Sequence, residues 1–224
     1  MPGPELPTSG LREALAEIGQ ALALDLTGTQ LDTLLAYLKL LQRWNAIYNL
    51  TAVRDPAQML TQHLADCLAV IGPLRRHCAT GSHRILDVGS GSGLPGLVIA
   101  ALNPGVQVTC VDTVGKKAAF IRQALGELGL RNLCAEHARV EQLKAAPFDV
   151  IVSRAFASLG DFTGLTRQHL VPMGVWMAMK GKTPDDEIAQ LPTELAVFHV
   201  EHLTVPGLQA ERCLVWIRPQ TPSL

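Results

Sequence analysis

The sequence predicts an α/β protein, a mainly parallel sheet with an antiparallel ending, preceded by a helical extension. Three observations predict it. Up to Arg75 the apolar residues recur with a helical period of about 3.6, and beyond it short β-branched runs alternate with helical ones. Arg84-Ile-Leu-Asp-Val-Gly-Ser-Gly-Ser-Gly-Leu-Pro-Gly96 reads as strand, glycine turn and helix start, the layout of a nucleotide-type cofactor site. The last two candidate strands are joined only by Pro206-Gly-Leu-Gln, too short for a crossover and so an antiparallel hairpin.

Taken in order, residues 1–9 are rich in Pro and Gly and read as a loose start. Leu11–Leu24 suits a short helix. Thr27-Gly-Thr-Gln30 offers a capping box for a second, carried by Leu31, Leu34, Leu35, Leu38 and Leu41 to Trp44 or Ile47. Pro56 opens a third helix through Leu60, Leu64 and Leu68, expected to end near Gly72-Pro73. The leucines of these helices read as helix-on-helix core. Strands are expected at Arg84–Val88, Val106–Val111, Leu133–His137, Asp149–Ser153, Val175–Met179, Leu195–Val205 and Arg212–Ile217. The expected division is a helical extension over 1–74 and a cofactor-binding domain over 75–224.

Composition narrows the classes. With 224 residues, 48% hydrophobic and 17% charged, the chain can bury a large core. A net charge of −1 gives no global pull toward nucleic acid, so RNA would have to bind through a local patch. Five cysteines without a C-x-x-C pair fit reduced thiols in a cytoplasmic protein, and Cys110 reads as a core thiol. Glu5, Arg12, Glu13 and Glu17 are unlike a secretory leader, and no apolar run reaches the ~18 residues of a membrane helix. His199 and His202 point to opposite strand faces, so no metal site is expected.

The chemistry starts at the glycine turn. Gly89, Gly91 and Gly93 let the backbone turn sharply and approach a ligand that a Cβ would block. Leu94-Pro95 then opens a helix, with Pro in its first turn. Gly91-Ser-Gly-Leu-Pro-Gly96 formally satisfies a dinucleotide pattern, which keeps an NAD-dependent oxidoreductase as an alternative. Asp87 argues otherwise: a carboxylate there repels a pyrophosphate and attracts the ammonium of a methionine moiety. Asp87-x-Gly89-x-Gly91-x-Gly93 resembles the first motif of S-adenosylmethionine (SAM)-dependent methyltransferases. Asp112, ending the second strand, suits a ribose diol, though an N-cap for the Lys116 helix is a competing account. Val140 and Glu141, after the third strand, are expected to meet adenine through their backbones. Arg154, after the fourth, is a strong donor for a carbonyl, carboxylate or phosphate. No Asn/Asp-Pro-Pro-Tyr/Phe or cysteine follows that strand, which argues against an exocyclic amino acceptor and against covalent attack on a pyrimidine.

Together these stretches resemble the bacterial 16S ribosomal RNA guanine-N7 methyltransferases, first named glucose-inhibited division protein B. The carrying residues are Trp44-Asn45, Tyr48-Asn-Leu-Thr51, His63-Leu-Ala-Asp66, Asp87 to Gly96, Asp112 with Lys116-Lys117, Ser153-Arg-Ala-Phe156 and Lys180-Gly181. Leu-Ala-Asp66 departs from the family's usual Leu-Asp-Ser. The resemblance implies a seven-stranded, Rossmann-like methyltransferase sheet of order 3-2-1-4-5-7-6, and SAM contacts from Gly89, Leu94, Val140, Glu141 and Arg154. The implied partner is 16S ribosomal RNA or the small ribosomal subunit, met by a monomer. RNA contacts are expected from Arg154, Lys180 and Lys182, with Arg75, Arg76 and Arg84 on an adjoining face; solvated surface charge is the competing account of each. Guanine N7 carries a lone pair and no proton, so no general base is required and catalysis reduces to positioning, with Arg154 the candidate. A non-catalytic SAM- or RNA-binding module is the remaining alternative.

Overall fold

A computed structural model describes residues 8–79, 81–154 and 156–220. The expected loose start therefore lies, over residues 1–7, outside the described residues. Helix α1 (Thr8–Ala21) begins and ends earlier than expected, because Ala23 turns into the left-handed region at φ 53° and stops it. Helix α2 (Gly28–Tyr48) opens on the expected capping box, Thr27 and Gln30 each bonding the other's backbone. It ends where Asn49 turns left-handed and returns its N–H to the Asn45 carbonyl.

The third helix starts at Pro56, capped by Asp55, but is not one regular element. Helix α3 (Pro56–Met59) widens into a π-helical segment (Leu60–Ala65) and closes as α4 (Asp66–Leu68). Gly72-Pro73 does not end it: α5 (Ile71–His77) runs through both residues. The sequence signal is ambiguous there, since Pro is equally at home in a first helical turn, where its missing N–H costs nothing.

The remaining elements are β1 (Arg84–Val88), α6 (Gly96–Leu102), β2 (Gln107–Asp112), α7 (Gly115–Glu127), β3 (Leu133–His137), β4 (Phe148–Ser153), α8 (Leu159–Thr166), β5 (Leu170–Lys180), α9 (Asp185–Ala189), β6 (Leu195–Leu203) and β7 (Arg212–Pro219). Among the described residues they form a seven-stranded sheet of order β3-β2-β1-β4-β5-β7-β6, as expected. Strands β1 to β5 pair in parallel and β7 is antiparallel to both neighbours. β5 is longer than expected at its start, and the hairpin link spans residues 204–211 rather than four.

Alternation along the strands divides the core between two faces. Ile85, Val108, Val150 and Met177 join a cluster with Leu34, Leu38, Leu41, Leu64 and Leu68 of the first helices. Leu86, Val111, Ile151 and Trp176 join the other cluster, with Leu159 and Phe162 of α8. The expected 74/75 division falls inside α5, and the first helices share a core with the sheet.

α6 approaches the sheet closely because position 96 has no side chain. A Cβ there would lie 2.5 Å from Cys110 Sγ and 2.9 Å from Asp87 Oδ2. We expect Gly96→Ala to destabilise the protein by about 1–3 kcal/mol, a typical cost of overpacking. Chemical denaturation checks this, and Cys110→Ala in the same chain should recover part of the loss; unchanged stability of the single variant would show that the helix moves away freely.

Candidate active site

β1 delivers its chain to the carboxyl edge of the sheet, and three glycines then turn it back. Gly89, Gly91 and Gly93 have φ of 67°, 58° and 86°, a region that side chains avoid. The Gly89 N–H bonds the Val111 carbonyl at 2.9 Å and the Gly91 N–H bonds Asp112 Oδ2 at 2.8 Å, so the loop is hung from the end of β2. A Cβ built on Gly91 meets nothing within 4 Å, so this backbone borders open space. Pro95 is the N-cap of α6 rather than a residue of its first turn.

Asp87 is placed differently from a residue facing a ligand openly. It is fully buried behind the loop, where Oδ2 accepts the Gly96 N–H at 2.8 Å and lies 3.8 Å from Cys110 Sγ. Oδ1 is buried without a hydrogen-bond partner. Burial pushes the carboxyl up to about 7, against the opposing Gly96 hydrogen bond. Because the folded state holds this proton more tightly than the unfolded chain, the stability it contributes is present in acid and is lost as pH rises toward 7.

Three cavities follow one another along the strand ends. The first, about 380 Å³, is lined by Gly89, Asp112, Lys117, Ala138, Val140 and Glu141 among others. Asp112 Oδ1 accepts the Val114 N–H at 2.8 Å, so both oxygens already hold backbone amides while each keeps a free lone pair. The Val140 carbonyl takes a bond from His169 at 2.7 Å and the Glu141 carbonyl one from Gln168 at 3.0 Å, which fixes the short turn they share. The second cavity, about 190 Å³, shares Gly89 and Lys117 with the first and adds Gly91, Leu94, Thr51 and His63. The third, about 420 Å³, shares only His63 and Arg154 with the second, and is closed by Asp66, Met179, Lys180 and Arg212.

The wall between the second and third cavities is held from several elements. Arg154 Nη1 lies 3.3 Å from Asp66 Oδ2 and 3.3 Å from the Gln62 carbonyl. Asp66 Oδ1 accepts from Arg212 Nε at 2.7 Å, so one buried carboxylate fixes two guanidiniums. His63, in the π-helical segment, has Nε2 3.0 Å from Thr51 Oγ1. Thr51 is in turn held by Asn45, whose Oδ1 accepts the Thr51 N–H at 2.9 Å and whose Nδ2 donates to the Val53 carbonyl at 3.1 Å. Burial, then the neighbouring Arg154, lowers the His63 pKa, so the ring is neutral near pH 7. Above the loop, buried Tyr37 of α2 donates its hydroxyl to the Ser92 carbonyl at 2.9 Å.

Some expected contacts sit elsewhere. Lys180 is not a free cation, because Nζ lies 2.8 and 3.0 Å from the Glu187 carboxylate oxygens; Lys182 is exposed. Arg75, Arg76 and Arg84 are not beside this site. Arg84 opens β1 and bonds the Pro147 carbonyl, while Arg75 and Arg76 are on α5, bonded to Asn103 and to Glu201 of β6 respectively. Sequence reasoning assigned no role to His63, Asp66, Tyr37 or Lys117 and did not single out Arg212. Arg212 had a readable signal: it opens a strand that returns antiparallel to β5, with Cys213 opposite Lys180, and so arrives at the carboxyl edge.

The family model described as rRNA small subunit methyltransferase G (GidB) matches residues 30–215. The chain is 61% identical over 219 residues to the Ribosomal RNA small subunit methyltransferase G of Acidovorax ebreus (strain TPSY), covering 94% of this chain and 96% of that one. It is 61% identical over 210 residues to the protein of the same name from Leptothrix cholodnii (strain ATCC 51168 / LMG 8142 / SP-6), again covering 94% and 96%. Solved structures resemble it at the level of fold. The glycopeptide N-methyltransferase MtfA complexed with SAM gives a TM-score of 0.57 at 12% identity, over 68% of this chain and 93% of that one. TrmN from Thermus thermophilus gives 0.55 at 20%, over 69% and 49%. Sequence identity over nearly its whole length and a matching family model agree, and the chain belongs to the GidB family of rRNA small subunit methyltransferases G.

Proposed function

We propose that the protein transfers the methyl group of SAM to N7 of a guanine in 16S ribosomal RNA. The observation that carries this reading is the row of three cavities in which the second and third meet only at His63 and Arg154. The first two cavities carry the groups that would hold SAM: Asp112 for the ribose diol, Val140 and Glu141 for adenine, and Gly89, Gly91, Leu94 and Arg154 around the methionine end. Asp87 fits as the buried counter-charge behind the loop, its Oδ1 lacking a partner. Bound there, SAM supplies an electrophilic methyl group. The third cavity is the acceptor pocket in this reading.

The chain's own contribution is placement. Asp66 fixes Arg154 and Arg212 against one another, and Thr51 fixes His63, so the wall at which the cavities meet has little freedom. The N7 lone pair needs no base, and a neutral, buried His63 is consistent with that chemistry. Lys182, exposed just beyond the end of β5, is left for RNA in this reading, and Arg154 lines both the second and the third cavity, where transfer would occur. The comparisons give the nicotinamide alternative no support. The reading takes the protein as a cytoplasmic monomer acting on the small subunit or its RNA. Among the described residues no helix is long and apolar enough to cross a membrane.

Three outcomes are expected. Gly91→Arg should fold, since its Cβ meets nothing within 4 Å, at a cost of roughly 1–2 kcal/mol for a left-handed backbone. It should lose SAM binding in calorimetry; retained affinity would remove the loop from the site.

SAM affinity should strengthen with rising pH and level off near pH 7, where Asp87 titrates in the free protein, because a cationic methionine moiety favours the ionised carboxylate. Proton uptake or release is read by calorimetry in buffers of different ionisation enthalpy between roughly pH 5.5 and 7.5. Asp87→Asn should bind more weakly and without this slope, and a wild-type affinity that does not vary would separate Asp87 from the ligand.

The single-turnover methyl-transfer rate at saturating SAM and RNA should vary little between roughly pH 6 and 8, the range of a histidine base. A tenfold rise per pH unit would indicate an acceptor that must lose a proton, and would count against N7.

A further inference from the structure

At the opposite end of the sheet lies a second cleft, about 1030 Å³, whose lining residues include Arg167, Arg218, His77, Phe198 and Met173 and no Asp or Glu. It sits where β5 begins and antiparallel β7 ends. Lys180, at the far end of the same strand, lines the third cavity. Residues of β5 from Leu170 to Val175 line the cleft, whereas Met179 and Lys180 line the third cavity, so the two sites are separated along the strand by roughly 13 Å at their nearest and about 33 Å at their farthest, at about 3.3 Å per residue.

The two arginines of this cleft differ from their neighbours. Arg75, Arg76 and Arg84 are all engaged by protein acceptors. Arg167 and Arg218 have no ion-pair or hydrogen-bond partner among the described residues. Each instead holds its guanidinium carbon over a ring, Arg167 at 5.7 Å from the Trp176 centroid and Arg218 at 5.2 Å from that of Phe198. A cation held over a ring in this way still has N–H donors to offer another acceptor. Beside them Phe198 is 41% exposed and Met173 is 89% exposed. His77 packs on Trp216 at 5.0 Å, and burial lowers its pKa, so the charge of the cleft comes from the two arginines.

We infer that this cleft is a second RNA-binding surface, which grips the phosphate backbone and an unpaired base of the ribosomal RNA away from the nucleotide being methylated. The inference rests on the proposed function for its partner. Unpaired guanidiniums are the donors that phosphate takes in pairs, and a half-exposed aromatic ring is the platform on which a nucleobase stacks. In a chain of net charge −1, such a site also supplies the local patch that RNA binding needs. Two binding surfaces on opposite edges of the sheet select for a folded RNA that reaches both, not for a short fragment.

The test is the Arg167→Glu/Arg218→Glu variant of the full chain, with Arg167→Gln/Arg218→Gln in its place should the glutamates prevent folding. Methyl transfer from labelled SAM is measured on small ribosomal subunits and 16S RNA lacking the modification, with RNA retention on filters and SAM calorimetry alongside. The expected result is a KM for the long RNA raised tenfold or more, with kcat and SAM affinity unchanged. The slope of log KM against log salt should fall by about 2, one for each phosphate that the variant no longer neutralises. A short hairpin carrying only the target nucleotide should not distinguish variant from wild type. Equal KM and equal salt slope on long RNA would overturn the inference, as would crosslinks from this cleft that map to ribosomal protein. Filter retention abolished in the variant, with a wild type that methylates no RNA, would instead support the cleft and sink the methyltransferase reading.

Discussion

One buried hydrogen bond sets the geometry on which the site depends, that from the Gly96 N–H to Asp87 Oδ2 at 2.8 Å. It joins the end of β1 to the first residue of α6 across a gap that only glycine permits. The eight residues between them must then close a short loop over the carboxylate, and three left-handed glycines make that closure possible. Burying a carboxyl with one oxygen unpaired is costly, which is why it holds its proton to about pH 7. An opposite charge brought to the far side of the loop relieves that cost. The same group thus serves the helix in the free protein and, in the proposed complex, would favour a cation, neither role needing a side chain from the loop itself.

The first helices extend that logic. They do not stand apart from the sheet, because Tyr37 of α2 bonds the loop carbonyl of Ser92 and packs at 6.1 Å from Phe120 of α7. Lys116 on α7 donates to the Tyr48 carbonyl at the end of α2. The chain leaving α2 then supplies Thr51, which holds His63, and the π-helical segment supplies His63 itself with Asp66 one turn on. A π-helical widening changes which side chains share a face, and such segments gather at functional sites. Here the segment sets His63 against the second cavity and the third, with Asp66 on the third.

How much of this the sequence carried depends on whether a signal was local. The sheet was legible because most of its strands carry β-branched residues between turn signals, β3 (Leu133–His137) being the exception, and its order followed from the resemblance and the short hairpin link. The turn of the glycine loop and the place of Asp112 at the end of β2 were legible for the same reason, each being set by a few consecutive residues. Gly72-Pro73 misled because one dipeptide serves helix ends and helix starts alike. Lys180 and Asp66 lay beyond local reading. The first is neutralised by Glu187 seven positions on, across a turn whose geometry no pattern specifies. The second acquires its role only when residues 88 and 146 positions away arrive beside it. The basic residues near 75, expected on an adjoining face, line none of the three cavities and are held by Asn103, Glu201 and the Pro147 carbonyl, partners that composition does not reveal.

The charge inventory of the proposed acceptor pocket also bears on mechanism. Arg154 and Arg212 share one carboxylate, Asp66, and Lys180 is balanced by Glu187, so the lining is mildly positive. Such a wall would be poorly chosen for a reaction that creates positive charge on a base from neutral reactants. Methylation of N7 by a sulfonium creates none: one positive charge is present before transfer and one after, displaced by the length of the reacting bonds. The protein therefore has no new charge to stabilise, unlike an acyl-transfer enzyme that must meet a developing oxyanion. Its side chains are free to be used for orientation, and a positive lining suits the phosphates that accompany the base into the pocket while disfavouring the cationic product. The absence of any requirement for an acid–base pair and the rigid Asp66-centred clamp are then two consequences of the same chemistry.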